Sequence, residues 1–247
     1  MRSLNLFLLV FAFALGSYAD ERLDCRFEAL FLKGDMQTWA RVVDSLQRQV
    51  LSDREHFSLA LAEYGLIGYY LAQDRDDAAE VLYKKHRRHL DLMLEKYPKH
   101  ATYRALDAAT VGFQIALSPW RAPFLSSGHH EKLTLAMDLS DNDYMPLIEM
   151  GNSLFWRPSF VGGDKEKARD YYQKAYAILE QQDGCNWVFF HLGAWLGQVH
   201  ARMDDPEKAL LLYEELLVRA PGFQFVKDEL LPQLKKGQLL RVNKEFE

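Results

Sequence analysis

The sequence predicts an all-α fold in which antiparallel helical hairpins stack into an α-α superhelix. The segment Trp120-Arg121-Ala122-Pro123-Phe124 returns thirty-six residues later as Trp156-Arg157-Pro158-Ser159-Phe160, and a helix-start pattern follows each copy. Almost every stretch after Asp20 shows helical periodicity, and no run alternates apolar and polar residues as a strand would. A unit that recurs at this spacing is typical of helical repeat proteins, in which each repeat buries its apolar face only against its neighbours.

The first nineteen residues are set apart from this pattern. Arg2 supplies a short positive start, an unbroken apolar run covers residues 6–15, and Ser17-Tyr18-Ala19 places small residues at the cleavage positions. The run is shorter than the roughly 20 apolar residues of a bilayer span. We therefore expect residues 1–19 to be a secretory signal peptide cleaved after Ala19, and residues 20–247 to be exported, periplasmic or secreted.

The composition of the remaining chain excludes several classes of partner. Only Arg2 is charged within residues 1–19, so the later residues carry 29 basic against 35 acidic side chains. Mild acidity without a basic stripe disfavours nucleic acid. No later segment reaches membrane-spanning length, and 228 residues suffice for one large helical domain, predicted as monomeric or weakly associated.

The elements follow in order from local start and stop signals. Ser52-Asp53 caps the third helix, Pro98 stops the fourth, and Asp141-Asn142-Asp143 caps the seventh. The predicted helices cover residues 23–33, 36–50, 53 onward, 74–97, 101–117, 128–140, 144 onward, 164 onward, 186 onward, 206 onward and, as an end cap, 225–240. This is five hairpins and a cap.

Two units carry a known helical pattern, at about residues 142–182 and 187–221. The matching positions are Leu196-Gly197, Ala209, Tyr213 and Pro221 in one unit, and Met150-Gly151, Ala168, Tyr172 and Ala175 in the other. The chain resembles exported bacterial tetratricopeptide repeat (TPR) proteins and, more distantly, the helical T component associated with TRAP-type transporters. Gly193 stands at the pattern's tryptophan position and His200 at its tyrosine position. The resemblance implies an extended concave binding surface.

The two repeated connections are the predicted binding site. Both should emerge on one edge of the superhelix, where Trp120, Phe124, Trp156 and Phe160 would form an apolar wall. Arg121 and Arg157 would supply planar, bidentate donors for a carboxylate. Tryptophan and arginine are enriched at binding hot spots. The alternative is that the tryptophans pack into the bundle and the prolines only stiffen the loops.

No catalytic, metal or cofactor motif is present in the sequence. There is no Gly-x-Ser-x-Gly, no Cys-x-x-Cys and no metal-ligand histidine spacing. Cys25 and Cys185 lie far apart along the chain, and they would pair only if the superhelix curls round, because a disulfide needs Cα atoms within about 7 Å.

The expected function is a non-enzymatic scaffold that binds a protein of the bacterial cell envelope through its concave groove or the tryptophan-arginine edge. The alternative is a periplasmic component that binds an organic anion for a TRAP-type transporter, with Arg121 and Arg157 holding the anion. Both functions need aromatic side chains and arginine, so the sequence leaves the choice open.

Overall fold

The protein, seen in a computed structural model, is described over residues 23–238. Within that range the backbone is helical and contains no strand. The helices are α1 (23–32), α2 (Met36–Leu46), α3 (Asp53–Ala72), α4 (Asp76–Lys96), α5 (Ala101–Leu117), α6 (Ala122–Asp138), α7 (Tyr144–Trp156), α8 (Lys165–Glu180), α9 (Trp187–Arg202), α10 (Pro206–Arg219) and α11 (Leu231–Lys235). The predicted all-α class is confirmed.

Side-chain caps fix several helix starts where the sequence places them, but the predicted cap of the seventh helix is wrong in part: Asp143 stands at the N-cap of α7 and its side chain makes no capping hydrogen bond. Ser52 accepts a hydrogen bond from the Glu55 amide and the Glu55 carboxylate accepts one from the Ser52 amide, which closes a capping box on α3. Asp164 and Asp205 each accept from the amide three residues later at the starts of α8 and α10. Asn186 caps α9 through the Val188 amide. These bonds satisfy amides that have no partner inside the helix.

Three predicted helix boundaries are wrong. The second helix was expected to reach Val50, but α2 ends at Leu46. The sixth helix was expected after Gly128, but α6 begins at Ala122 and runs through that glycine. Proline is tolerated in the first turn of a helix, so Pro123 starts α6 instead of breaking it. The end cap was expected to reach residue 240, but its helix ends at Lys235, preceded by a π-helical segment, Phe225–Leu230. Pro232 cannot donate to the carbonyl four residues earlier, and the wider turn accommodates its ring.

The helices pack most closely in the consecutive pairs α3–α4, α5–α6, α7–α8 and α9–α10, and each pair contacts the next. Helices α3, α5, α7 and α9, called the inner helices below, bury more of their residues than their partners do. Helices α4, α6, α8 and α10, called the outer helices, bury fewer residues each. A helix that is apolar all round belongs in the interior, and an amphipathic helix belongs at the surface.

Glycines allow close approach within two of the hairpins. A Cβ atom on Gly151 would lie 2.5 Å from the Tyr172 ring, and one on Gly197 would lie 2.2 Å from the Tyr213 ring. Both tyrosines are almost fully buried. The same glycine-tyrosine contact therefore joins α7 to α8 and α9 to α10, at the positions that carry the resemblance.

The N-terminal helices fold back onto α9. Cys25 and Cys185 form a disulfide with their Cα atoms 4.8 Å apart, across 160 residues of chain. The Glu28 carboxylate accepts a hydrogen bond of 2.6 Å from the Asn186 amide. The Trp187 ring lies edge-on to Trp39, with centroids 5.1 Å apart. The chain therefore curls far enough for its two halves to meet.

The predicted signal peptide, residues 1–19, lies outside the described residues, and its cleavage stays a prediction. Within residues 23–238, none of the helices combines the length and the apolar character that a membrane span requires.

Candidate functional site

Each of the two repeated segments connects an inner helix to the outer helix that follows it, the first from α5 to α6 and the second from α7 to α8. The first of the two repeated segments forms a 3-10 turn, Pro119–Arg121, followed directly by α6. Prolines at the start of both elements hold the backbone in helical conformation. The sequence predicts a long loop here. In the structure Trp120 instead lies in the 3-10 turn and Phe124 in the first turn of α6.

The aromatic side chains of this first segment face solvent. Trp120 is 74% exposed and Phe124 is 77% exposed. The two residues flank the junction between the 3-10 turn and α6. The Arg121 guanidinium carbon lies 6.0 Å from the centroid of the Trp120 ring. Trp120 and Phe124 are therefore both exposed aromatic residues, and the apolar wall that the sequence predicts stays a prediction.

In the second repeated segment, Trp156 is half-buried and Phe160 is exposed. Trp156 is half-buried and stacks on Trp195 of α9, with centroids 5.4 Å apart and an angle of 25° between the rings. Phe160, in the 3-10 turn Ser159–Val161, is 87% exposed. Trp156 thus packs inward as the alternative reading expected, whereas Phe160 remains available at the surface.

Arg157, the arginine of the second segment, makes contacts within the protein. The Arg157 side chain donates a hydrogen bond of 2.9 Å to the Ser153 hydroxyl, one turn back on α7. Its carbonyl oxygen would lie 1.8 Å from a Cβ atom on Gly163, so only glycine fits there. Burial, together with the nearby charge of Arg157, lowers the pKa of His129 to about 4. Arg157 therefore lies against α6 as well as α7.

An open cleft of about 300 Å³ adjoins the exposed aromatic surface. It lies between the first turns of α4 and the connection from α5 to α6, and Arg121 is part of its wall. Three carboxylates also line it, on Asp76, Asp77 and Glu80. The sequence reading treated Arg121 as an anion ligand and did not place these carboxylates beside it, because they come from the preceding hairpin.

Three inner helices each bury one acidic residue. On α3, Glu63 is 1% exposed and accepts hydrogen bonds from His86 at 3.0 Å and His89 at 2.9 Å, and from Gln47 at 2.6 Å. His89 also shares a hydrogen bond of 3.0 Å with His56. Burial opposes ionisation of Glu63, but the two histidine bonds outweigh it and lower its pKa to about 2. This cluster ties α2 and α4 to α3.

The buried acid of α5 is held by two cations. The Asp107 carboxylate forms ion pairs with Arg87 of α4 and, at 2.5 Å, with Lys132 of α6. Arg87 also donates to the Thr110 hydroxyl. Because both cations come from flanking outer helices, Asp107 fixes α5 between α4 and α6.

The buried acid of α7 has no cation among its observed partners. Glu149 accepts hydrogen bonds from the Tyr64 hydroxyl at 2.6 Å and the Asn152 amide at 3.0 Å. Tyr172 of α8 donates to the Asn152 carbonyl at 2.8 Å, which extends the network across three helices. Burial raises the pKa of Glu149 to about 7, against the effect of both hydrogen bonds. Glu149 therefore carries a proton near neutral pH more readily than an ordinary glutamate.

These three clusters hold neighbouring helices together. The candidate site is therefore the exposed aromatic residues Trp120, Phe124 and Phe160 of the repeated segments, called the edge below. Within residues 23–238, no group of three or more histidine, cysteine, aspartate or glutamate side chains could hold a metal ion. The sequence analysis missed all three acids. The signal was present, since each is an acidic residue flanked by apolar residues in an inner helix, a position that requires a buried partner.

No protein-family model, curated protein or solved structure matches this chain.

Proposed function

We propose that this chain is an exported helical repeat protein, similar to the TPR family, that binds a partner protein in the bacterial cell envelope and catalyses no reaction. One feature supports the similarity to the TPR family, and another supports export. The glycine-tyrosine contacts at Gly151 and Gly197 fall at the pattern positions of both matched hairpins. The disulfide between Cys25 and Cys185 suits an oxidising compartment, which is where an exported chain would fold.

The observation that carries the binding function is the exposure of three large aromatic side chains in the two repeated segments. Trp120, Phe124 and Phe160 each leave about three quarters or more of their surface in water. Burying a side chain of this size is worth roughly 1.5–3 kcal/mol. Prolines and helix starts hold the backbone beneath them, so little ordering entropy would oppose association. Rigid aromatic anchors of this kind are typical of binding hot spots.

The edge is a better candidate than the inner surface. Leu59 to Tyr64 of α3 are buried without interruption, and the Tyr64 hydroxyl bonds to Glu149 of α7. The N-terminal helices also cover part of α9 through Trp39 and Trp187. Helices whose side chains are buried against one another leave fewer side chains exposed to a partner.

The charges favour a protein partner over the organic anion considered from the sequence. Arg157 donates to Ser153 within its own helix. Arg121 lines a cleft that also holds three carboxylates, which would repel an anion. The two arginines therefore do not offer the unopposed positive site that an organic anion requires.

Affinity capture from solubilised envelope tests this function. The tagged chain is compared with a Trp120→Ala/Phe124→Ala variant and with a matched control, Leu211→Ala/Val218→Ala, which removes exposed apolar side chains from α10. We expect the wild-type chain and the control to retain a discrete partner and the edge variant to lose it. Equal retention by all three chains would refute the edge as the binding surface.

A thermal-shift screen tests the anion alternative. A ligand at 100 times its dissociation constant should add about 2.7 kcal/mol of stability. We expect no organic anion to shift the unfolding temperature of the wild-type chain. A shift that disappears in an Arg121→Gln variant would support the transporter-associated function instead.

A further inference from the structure

The cleft beside Trp120 has an apolar floor and an acidic rim. Tyr83 of α4 and Leu117 at the end of α5 form the floor. Asp77 and Glu80 lie on the rim, in the first turns of α4. Arg121 also lines the cleft, and its guanidinium carbon lies 6.0 Å from the centroid of the Trp120 ring. Arg121 therefore connects the cleft to the exposed Trp120.

The charge of this cleft favours a cation as its occupant. Three carboxylates, on Asp76, Asp77 and Glu80, face two cations, on Lys84 and Arg121. Lys84 pairs with Glu80 at 2.7 Å, but both side chains are more than half exposed. An exposed pair of this kind contributes at most about 1 kcal/mol and exchanges partners readily. A further positive group can therefore share Glu80 at little cost.

The shape and the chemistry of the cleft suit a long aliphatic cation. Lysine and arginine side chains lay their methylene stems on apolar surfaces and keep the charged group in polar surroundings. Tyr83 and Leu117 offer the apolar surface, and the rim carboxylates lie where the charged group would emerge. Trp120 adds an exposed ring to which cations are attracted, as its contact with Arg121 already shows.

We propose that this edge docks a basic amphipathic segment of the partner protein. An apolar side chain of that segment covers Trp120 and Phe124, and a neighbouring lysine or arginine enters the cleft between Asp77 and Glu80. The inference rests on the proposed function, because it names the kind of protein segment that the same edge binds. Complementary charge fixes the orientation of such a segment and speeds its association, while the apolar contact supplies most of the affinity.

Short amphipathic peptides serve as probes. Binding to the purified chain is measured by fluorescence anisotropy for a lysine-leucine peptide, a glutamate-leucine peptide and a lysine-serine peptide, and by competition for free spermine. We expect only the lysine-leucine peptide to bind well, at least about tenfold more tightly than either other peptide. Its affinity should fall as salt rises, because the charged contact is partly exposed.

Two variants then locate the contact. Asp77→Asn/Glu80→Gln keeps the shape of the rim and removes its charge, and we expect it to weaken the lysine-leucine peptide about tenfold. Glu207→Gln removes a comparable first-turn carboxylate from α10 and should leave the affinity unchanged. Circular dichroism confirms that each variant is folded. Trp120→Ala/Phe124→Ala should abolish binding of the same peptide.

Specific results would overturn the inference. Equal binding of the glutamate-leucine peptide, or unchanged affinity in Asp77→Asn/Glu80→Gln, would show that the cleft charge does not select the occupant. Spermine that competes at the peptide's own affinity would show that the cleft takes a free organic cation and not a protein segment. An envelope partner that is lost with Trp120→Ala/Phe124→Ala but kept with Asp77→Asn/Glu80→Gln would leave the proposed function standing and refute only this inference.

Discussion

Glu149 should make the protein less stable as the pH rises through the range in which a glutamate normally ionises. Its pKa is about 7 in the folded chain, against an ordinary value of 4.5. Between these two values the unfolded chain releases a proton that the folded chain retains, so the free energy of unfolding falls with pH. The difference of about 2.5 units corresponds to about 3 kcal/mol. The loss should be complete slightly above pH 7.

A Glu149→Gln substitution isolates this effect. Glutamine keeps an oxygen that can accept from Tyr64 and Asn152, and it has no proton to lose. The free energy of unfolding is measured by urea titration from pH 4 to pH 8, with tryptophan fluorescence as the signal. The stability of the variant relative to wild type should rise by about 3 kcal/mol over this range and then level off.

A Glu63→Gln substitution provides the contrast. The pKa of Glu63 is lowered to about 2, so its contribution to stability is fully present above pH 4.5 and is lost only as the pH falls towards 2. Its difference from wild type should therefore shrink as the pH falls from 4.5 towards 2, which is a different pH range from that of Glu149. A Glu149→Gln difference that is constant from pH 4 to pH 8, or that shrinks as the pH rises, would refute the reasoning that Glu149 is buried without a compensating cation.

Three further predictions concern the glycine-tyrosine contact, the disulfide and the predicted signal peptide. Gly151→Ala should lower the free energy of unfolding by about 1–3 kcal/mol, because its Cβ atom would overlap the Tyr172 ring of α8. Gly112→Ala, whose Cβ atom meets no other atom within 4 Å, should raise it by about 0.5–1 kcal/mol. Equal effects of the two substitutions in urea titration would contradict this. Replacing both Cys25 and Cys185 with serine should lower the free energy of unfolding by about 2–5 kcal/mol, and an unchanged value in calorimetry would count against the bridge. N-terminal sequencing of the exported chain should begin at Asp20, and a start at Met1 would refute cleavage.

The sequence predicted the helices well where local chemistry decides them. Ser52, Asp164 and Asn186 cap helices through their own side chains, and such bonds depend on residues only two or three positions away. The sixth helix was misplaced because Gly128 was read as a helix break. In the structure it is an ordinary residue within a helix that Pro123 had already started.

The candidate site could be predicted only in part, because tertiary contacts decide which aromatic residues remain exposed. Trp120 and Trp156 occupy equivalent places in the repeated segments. Trp195 arrives from α9 and stacks on Trp156, whereas Trp120 stays in solvent. The pairing of Cys25 with Cys185 was left open for the same reason, since it depends on how far successive hairpins rotate.

Site-specific photo-crosslinking in the native envelope would test the binding edge most directly. A photoreactive phenylalanine analogue replaces Phe124 or Phe160 at the edge, and Leu211 or Val218 on α10 as matched exposed controls. We predict that both edge positions crosslink to the same discrete protein and that neither α10 position does. Crosslinks from α10 alone, or none from either edge position while the chain is folded and exported, would contradict the assignment of this edge as the binding surface.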